Sequence, residues 1–173
     1  LTGLVNNYLI NNNKASNFDE EKNEKKSQLN SGTATAHYWF YKLDYLLWKN
    51  MDIWQNLEHK FNEDKKFKYM QIQTNFRLSR LNSIEHIHPQ SKKDDWDDIY
   101  IDCFGNLALI SNHMNSALNA QEDYNKRHDI QKQLDNGTIE SLKMILAYSK
   151  YKEWTLKNSN EHQEEMINLL IED

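Results

Sequence analysis

Between Ser83 and Lys126 the chain gathers the side chains best suited to chemistry. Glu85 and His86 stand side by side, followed by Ile87, His88 and Pro89. Asn106 comes twenty residues after His86, with Gly105 before it, and Asn115 lies nine residues further on. Lys126 closes the stretch, with Arg127 beside it. An imidazole titrates near pH 6.5, so a neutral His86 can take a proton from water at neutral pH. A hard divalent cation prefers oxygen donors. Glu85 offers a carboxylate beside the base, and Asn115 an amide oxygen. Those two leave positions for waters and substrate oxygens. Such a set suits hydrolysis, which needs a nucleophilic water and neutralisation of the charge that builds at the reacting centre. Cys103 is the one cysteine, so no thiolate cluster points to a softer metal.

Positioning these groups requires particular elements. Ser83 to His88 reads as a short strand that Pro89 ends, since proline cannot donate to a ladder. Neighbouring strand residues point to opposite faces, so Glu85 and His86 serve one site only where the strand ends or twists. Leu107 to Ile110 reads as the return strand. Ser111 is placed to cap a helix carrying Asn115. The order is β, β, α.

These pieces, in this order and at these spacings, resemble an HNH nuclease family whose motif runs E-H-I-x-P-Q, G-N-L-x-L, N-S and K. Here it is carried by Glu85 to Gln90, Gly105 to Leu109, Asn115-Ser116 and Lys126, within about a quarter of the chain. The resemblance is to the C-terminal part of GmrSD-type bacterial restriction proteins, which join it to an N-terminal ParB-like domain. It implies a ββα-metal core and metal-dependent hydrolysis of DNA phosphodiester bonds. It implies one Mg2+ or Mn2+ on Glu85 and Asn115, His86 as the base, and Asn106 orienting that histidine through hydrogen bonds. Lys126 would sit near the scissile phosphate. Gly105 would allow the bend before Asn106. The ParB-like partner, absent from this chain, would carry nucleotide binding or modified-base recognition. The setting implied is restriction or phage defence in a bacterial cytoplasm.

Composition sets limits on this reading. The formal net charge of -5 gives no bulk attraction to DNA, so phosphate contacts must be local. Lys126 and Arg127, with Lys92 and Lys93 on the intervening loop, are the expected contacts. One Pro and four Gly in 173 residues argue for a mainly helical chain. A single cysteine fits a reducing compartment. No apolar run of about 18 residues is present, so no transmembrane helix and no membrane partner are expected. The chain starts at Leu1 rather than Met, which reads as part of something longer.

The expected fold is α+β, mostly helical around a small ββα core. Residues 1–31 read as a polar linker or the tail of an upstream domain, with 11–31 a solvated linker or exposed helix. Residues 32–128 read as the nuclease domain, its core at about 83–126, and 129–173 as a helical extension packed on it. Within this, Thr33 to Lys49 reads as an amphipathic helix through Tyr38, Trp39, Leu43, Leu46 and Leu47. Asp52 to Lys66 reads as a helix or charged connection, and Phe67 to Ser79 as strand or extended. Ala120 to Leu134 reads as a helix that Asn136-Gly137 breaks. Further helices are expected from Thr138 to Tyr151 and from Ser159 or Asn160 onward. His88 reads as packing behind the base, His113 as incidental, Cys103 as a buried apolar residue, and Asp94, Asp95, Asp97 and Asp98 as a solvated loop. Two other classes compete: a catalytically silent HNH-fold module that binds nucleic acid or protein, and an unrelated helical interaction domain. The intact set of Glu85, His86, Asn106 and Asn115 argues against the first.

Overall fold

A computed structural model describes residues 19–58, 72–91, 96–118 and 123–172. The sheet within them has two strands, β1 (Ser83–His86) and β2 (Leu107–Ile110). They run antiparallel, with Glu85 opposite Ala108 and His86 opposite Leu107. β2 is buried along its whole length, as a continuous Leu-Ala-Leu-Ile run should be when both its faces are covered. Main-chain bonds from Asn82 N to Ile110 O (3.3 Å) and from Ile87 N to Asn106 O (2.8 Å) extend the pairing beyond each end.

Helices surround this ladder. The chain is helical over 19–29 (α1), passes a 3-10 turn at Gly32–Ala34, and continues through α2 (His37–Lys49) and α3 (Met51–Glu58). After α4 (Ile72–Asn75) and β1 come α5 (Asp98–Ile101) and β2, then α6 (Asn112–Leu118), α7 (Asp123–Asn136), α8 (Leu142–Lys150) and α9 (Leu156–Ile171). The architecture is the expected one: α+β, mostly helical, with a small antiparallel sheet.

The core lies where α2 crosses β2, α8 and α9. Phe40, Leu43, Leu46 and Leu47 recur three and four apart and are all buried. Each such side chain contributes roughly 1.5–3 kcal/mol by leaving water. Phe40 meets Phe104 with ring centroids 5.0 Å apart. Tyr38 does not join this stripe and is 61% exposed. Two residues before Phe40 is about 200° round the helix, so Tyr38 belongs to the opposite face. The segment expected as a solvated linker or exposed helix is, from residue 19 to 29, a largely exposed helix docked on α9. Lys22 and Lys26 both pair with Glu164, at 2.7 and 2.8 Å, and Leu29 is buried.

Several boundaries differ from expectation for local reasons. The amphipathic helix begins at His37, because Gly32–Ala34 forms its own 3-10 turn. Ile72–Asn75 is helical rather than extended: Ile72 and Phe76 are four apart, both buried, and joined by Phe76 N to Ile72 O at 2.9 Å. The polar stretch before β2 contains α5, whose Ile101 is buried. Asn136-Gly137 ends α7 as expected, Gly137 taking a left-handed φ of 68°. The next helix is capped by Ser141 rather than Thr138, its hydroxyl accepting from Met144 N. Thr155 caps α9, ahead of Ser159 and Asn160. Phe67 to Gln71, His59 to Lys66, and residues 1–18 lie outside the described residues.

Candidate active site

The pleat of β1 sends Glu85 and His86 to different partners. Glu85 Oε1 accepts from Lys126 Nζ at 2.5 Å, and the same ammonium donates to His86 O at 2.7 Å. Lys126 is 1% exposed. His86 Nε2 lies 2.8 Å from Asp102 Oδ1, at the C-terminal end of α5. Both strand residues are 8% exposed, so each side chain is set by protein rather than by solvent.

Asn106 is buried completely and uses its whole amide. Its Oδ1 accepts from His88 N at 2.7 Å and from Trp154 Nε1 at 3.0 Å. Its Nδ2 donates to Ile101 O at 2.9 Å and to His88 O at 3.2 Å. One side chain thus ties the exit of β1 to the end of α5. Asn106→Asp is expected to destabilise the fold by about 3 kcal/mol or more, because a carboxylate has no hydrogens for those two carbonyls and leaves them buried without donors. A denaturation midpoint close to wild type for that variant would refute the clamp.

Behind Asn106 the turn is held from below. Lys143, 1% exposed, donates through Nζ to Gly105 O at 3.1 Å and Leu107 O at 2.5 Å. Burial pushes its ammonium down to about 7, against the opposing pull of Cys103 and Asp44. Asp44, buried on α2, accepts from Lys143 N at 2.9 Å. Burial pushes its carboxyl up to about 7, partly offset by hydrogen bonds from the Lys143 and Leu142 backbone at the start of α8. Gly105 is needed for space rather than for a bend. Its φ is not positive, and a Cβ there would stand 2.2 Å from Ser159 O on α9. Trp154 packs edge-on against His162, whose imidazole burial holds well below its usual range.

Asn115 is brought up by α6, which packs against β1. Ser111 caps that helix as expected. Its Oγ accepts from Met114 N at 3.1 Å while donating to Glu140 Oε1 at 2.8 Å. Asn115 is half-buried, and its side-chain amide has no hydrogen-bond partner among the described residues. Glu85 Oε2 likewise takes no hydrogen bond from any described residue. No group of three or more His, Cys, Asp or Glu that could hold a metal occurs among the described residues. What β1 and α6 offer instead is one carboxylate oxygen and one amide oxygen. Both are hard donors of the kind a divalent cation prefers.

The expected nucleic-acid contacts fare differently. Lys126 is not available to a phosphate; its ammonium is buried against Glu85. Arg127 turns inward too, donating to Tyr148 O at 3.1 Å and Tyr151 O at 2.7 Å, with its guanidinium over the Tyr148 ring. These cations were expected outside because sequence reading assumes that charge faces solvent, whereas here each closes a tertiary junction. Lys92, Lys93, Asp94 and Asp95 lie outside the described residues. The His88 ring stacks on Trp96, with centroids 4.4 Å apart and ring planes nearly parallel. His113 is exposed on α6, and Cys103 is buried beside Ser159. Asp102, Lys143, Asp44 and Trp154 were missed. None of them stands in a motif, and only Asp44, a polar residue on the buried face of α2, departs visibly from its pattern.

No curated protein and no solved structure matches this chain. A family model described as GmrSD restriction endonucleases, C-terminal domain, matches residues 12–169. The match takes in β1, β2 and α6 together with the helices that support them, and the chain belongs to the family of GmrSD restriction endonuclease C-terminal domains.

Proposed function

We propose that this chain is a divalent-metal-dependent HNH endonuclease acting on DNA, the effector part of a restriction or phage-defence protein. The observation that carries the reading is the end of β1, where Glu85 and His86 are adjacent, each held by its own partner, while the helix bearing Asn115 packs against the same strand. His86 takes a proton from water as the water oxygen bonds to phosphorus. The bond from phosphorus to the leaving sugar oxygen breaks, and that oxygen is protonated from solvent. Glu85 and Asn115 are the residues that would hold a Mg2+ or Mn2+ ion, which when bound neutralises charge on the phosphoryl oxygens. Lys126 fixes Glu85 in place, and Asn106 fixes the turn behind His86. Nucleotide or modified-base recognition belongs to an N-terminal ParB-like partner domain. The cytoplasm is the matching compartment. No helix among the described residues is long and apolar enough to cross a membrane.

A second reading is a catalytically silent module that binds nucleic acid. It draws on the Lys126–Glu85 pair, in which the carboxylate is already neutralised. Metal dependence separates the two. Cleavage is expected with Mg2+ or Mn2+ and none in EDTA. Asn115→Ala is expected to raise the metal concentration needed for half-maximal cleavage about tenfold or more, the usual scale for weakening a metal site. Full activity in EDTA would exclude the metal role of Glu85 and Asn115.

A further inference from the structure

We propose that Asp102 is a positioning residue for His86, holding the imidazole hydrogen on Nε2 so that Nδ1 is the atom that accepts a proton. This rests on the nuclease reading of His86 and deepens it. His86 Nε2 and Asp102 Oδ1 are 2.8 Å apart. A carboxylate only accepts, so the neutral ring in this contact must donate from Nε2 and keeps its lone pair on Nδ1. Nδ1 has no hydrogen-bond partner among the described residues. Without a partner an imidazole divides between two tautomers, and only part of the population presents the right nitrogen to water. The same carboxylate stabilises the imidazolium formed once the proton has moved.

The surroundings of Asp102 hold it for this contact. Ile101 O, immediately before it, is bound by Asn106 Nδ2, and the same amide grips both the N–H and the carbonyl of His88. The distance between the His86 strand and the Asp102 turn is therefore set by one buried side chain. On the other side, Phe104 N donates to Asn30 Oδ1 at 2.9 Å. Gly32, with φ +56°, faces the carboxylate directly. A Cβ there would stand 3.0 Å from Asp102 Cγ and 3.1 Å from Oδ2. The 3-10 turn thus leaves room for the Asp102 side chain beside His86, and a larger residue would press on it. The Asp102 side chain is 50% exposed, so its contact with His86 adds little to stability.

The test reads the tautomer without turnover. Long-range proton–nitrogen NMR of the chain, at a pH where the ring is neutral, reports which nitrogen of His86 carries hydrogen. Wild type is expected to show Nε2–H. Asp102→Ala should give a mixture and lower DNA cleavage by roughly tenfold, a fraction of a general base's own contribution. Asp102→Asn, whose amide oxygen still accepts but carries no charge for the imidazolium, should keep Nε2–H while recovering only part of the rate. Hydrogen on Nδ1 in wild type would overturn the proposal. So would a rate that falls in Asp102→Ala with the tautomer unchanged, or a tautomer that shifts with the rate unchanged. A wild-type chain that shows Nε2–H yet cleaves no DNA would support the Asp102 contact and count against the nuclease reading.

Discussion

His86→Ala is expected to lower DNA cleavage by at least about a hundredfold, the scale of losing a general base, while the chain stays folded. The ring is small, lies at the end of β1 and makes one hydrogen bond to a half-exposed partner. Its removal should cost no more than about 1 kcal/mol of stability. His88→Ala provides the comparison. Its ring stacks on Trp96, a contact of roughly 0.5–1.5 kcal/mol, and its main chain is what Asn106 grips. That variant should therefore melt earlier yet retain most of its rate. Equal losses of rate in the two would mean that the base has been assigned to the wrong histidine.

Lys126→Met is expected to have the largest effect on stability. Lys126 and Glu85 are both buried, and their contact is short and joined by a bond to His86 O. Removing one partner of a buried pair leaves the other charge desolvated, at about 3–5 kcal/mol. Chemical denaturation should show this loss. Cleavage should fall as well, because Glu85 is freed from its fixed position. Pairing Lys126→Met with Glu85→Gln should recover part of the stability, since the stranded charge is then gone. If instead Lys126→Met denatures like wild type and alters only the salt dependence of DNA binding, the lysine would be a phosphate contact after all.

The core of this fold could be read from the sequence where patterning is strong. The Leu107–Ile110 run, the Ser111 cap and the Gly137 break each follow from a local rule, and the structure places them as expected, while the strand carrying Glu85 and His86 stops at His86, two residues before the expected end. Asn115 could be assigned to a helix opposite β1 because the β, β, α order leaves it little other place. What could not be read is the closure. Lys126 reaches Glu85 across 41 positions, and Lys143 reaches the Gly105 carbonyl across 38. Nothing in the local pattern marks a lysine as buried, so Lys126 reads as a phosphate contact, and nothing singles out Lys143. Asp102 reads as the end of an acidic loop, and only the Asn106 clamp shows why it meets His86. Gly105 reads as a hinge, but α9, more than fifty residues later, is what excludes a side chain there.

Conversion of supercoiled plasmid by the wild-type chain, followed over time in Mg2+ or Mn2+ with an EDTA control, bears most directly on the nuclease assignment. Nicked or linear DNA that accumulates only with metal is the expected result. Plasmid that remains supercoiled with correctly folded chain at every metal concentration would contradict the assignment of Glu85, His86, Asn106 and Asn115 as a nuclease site.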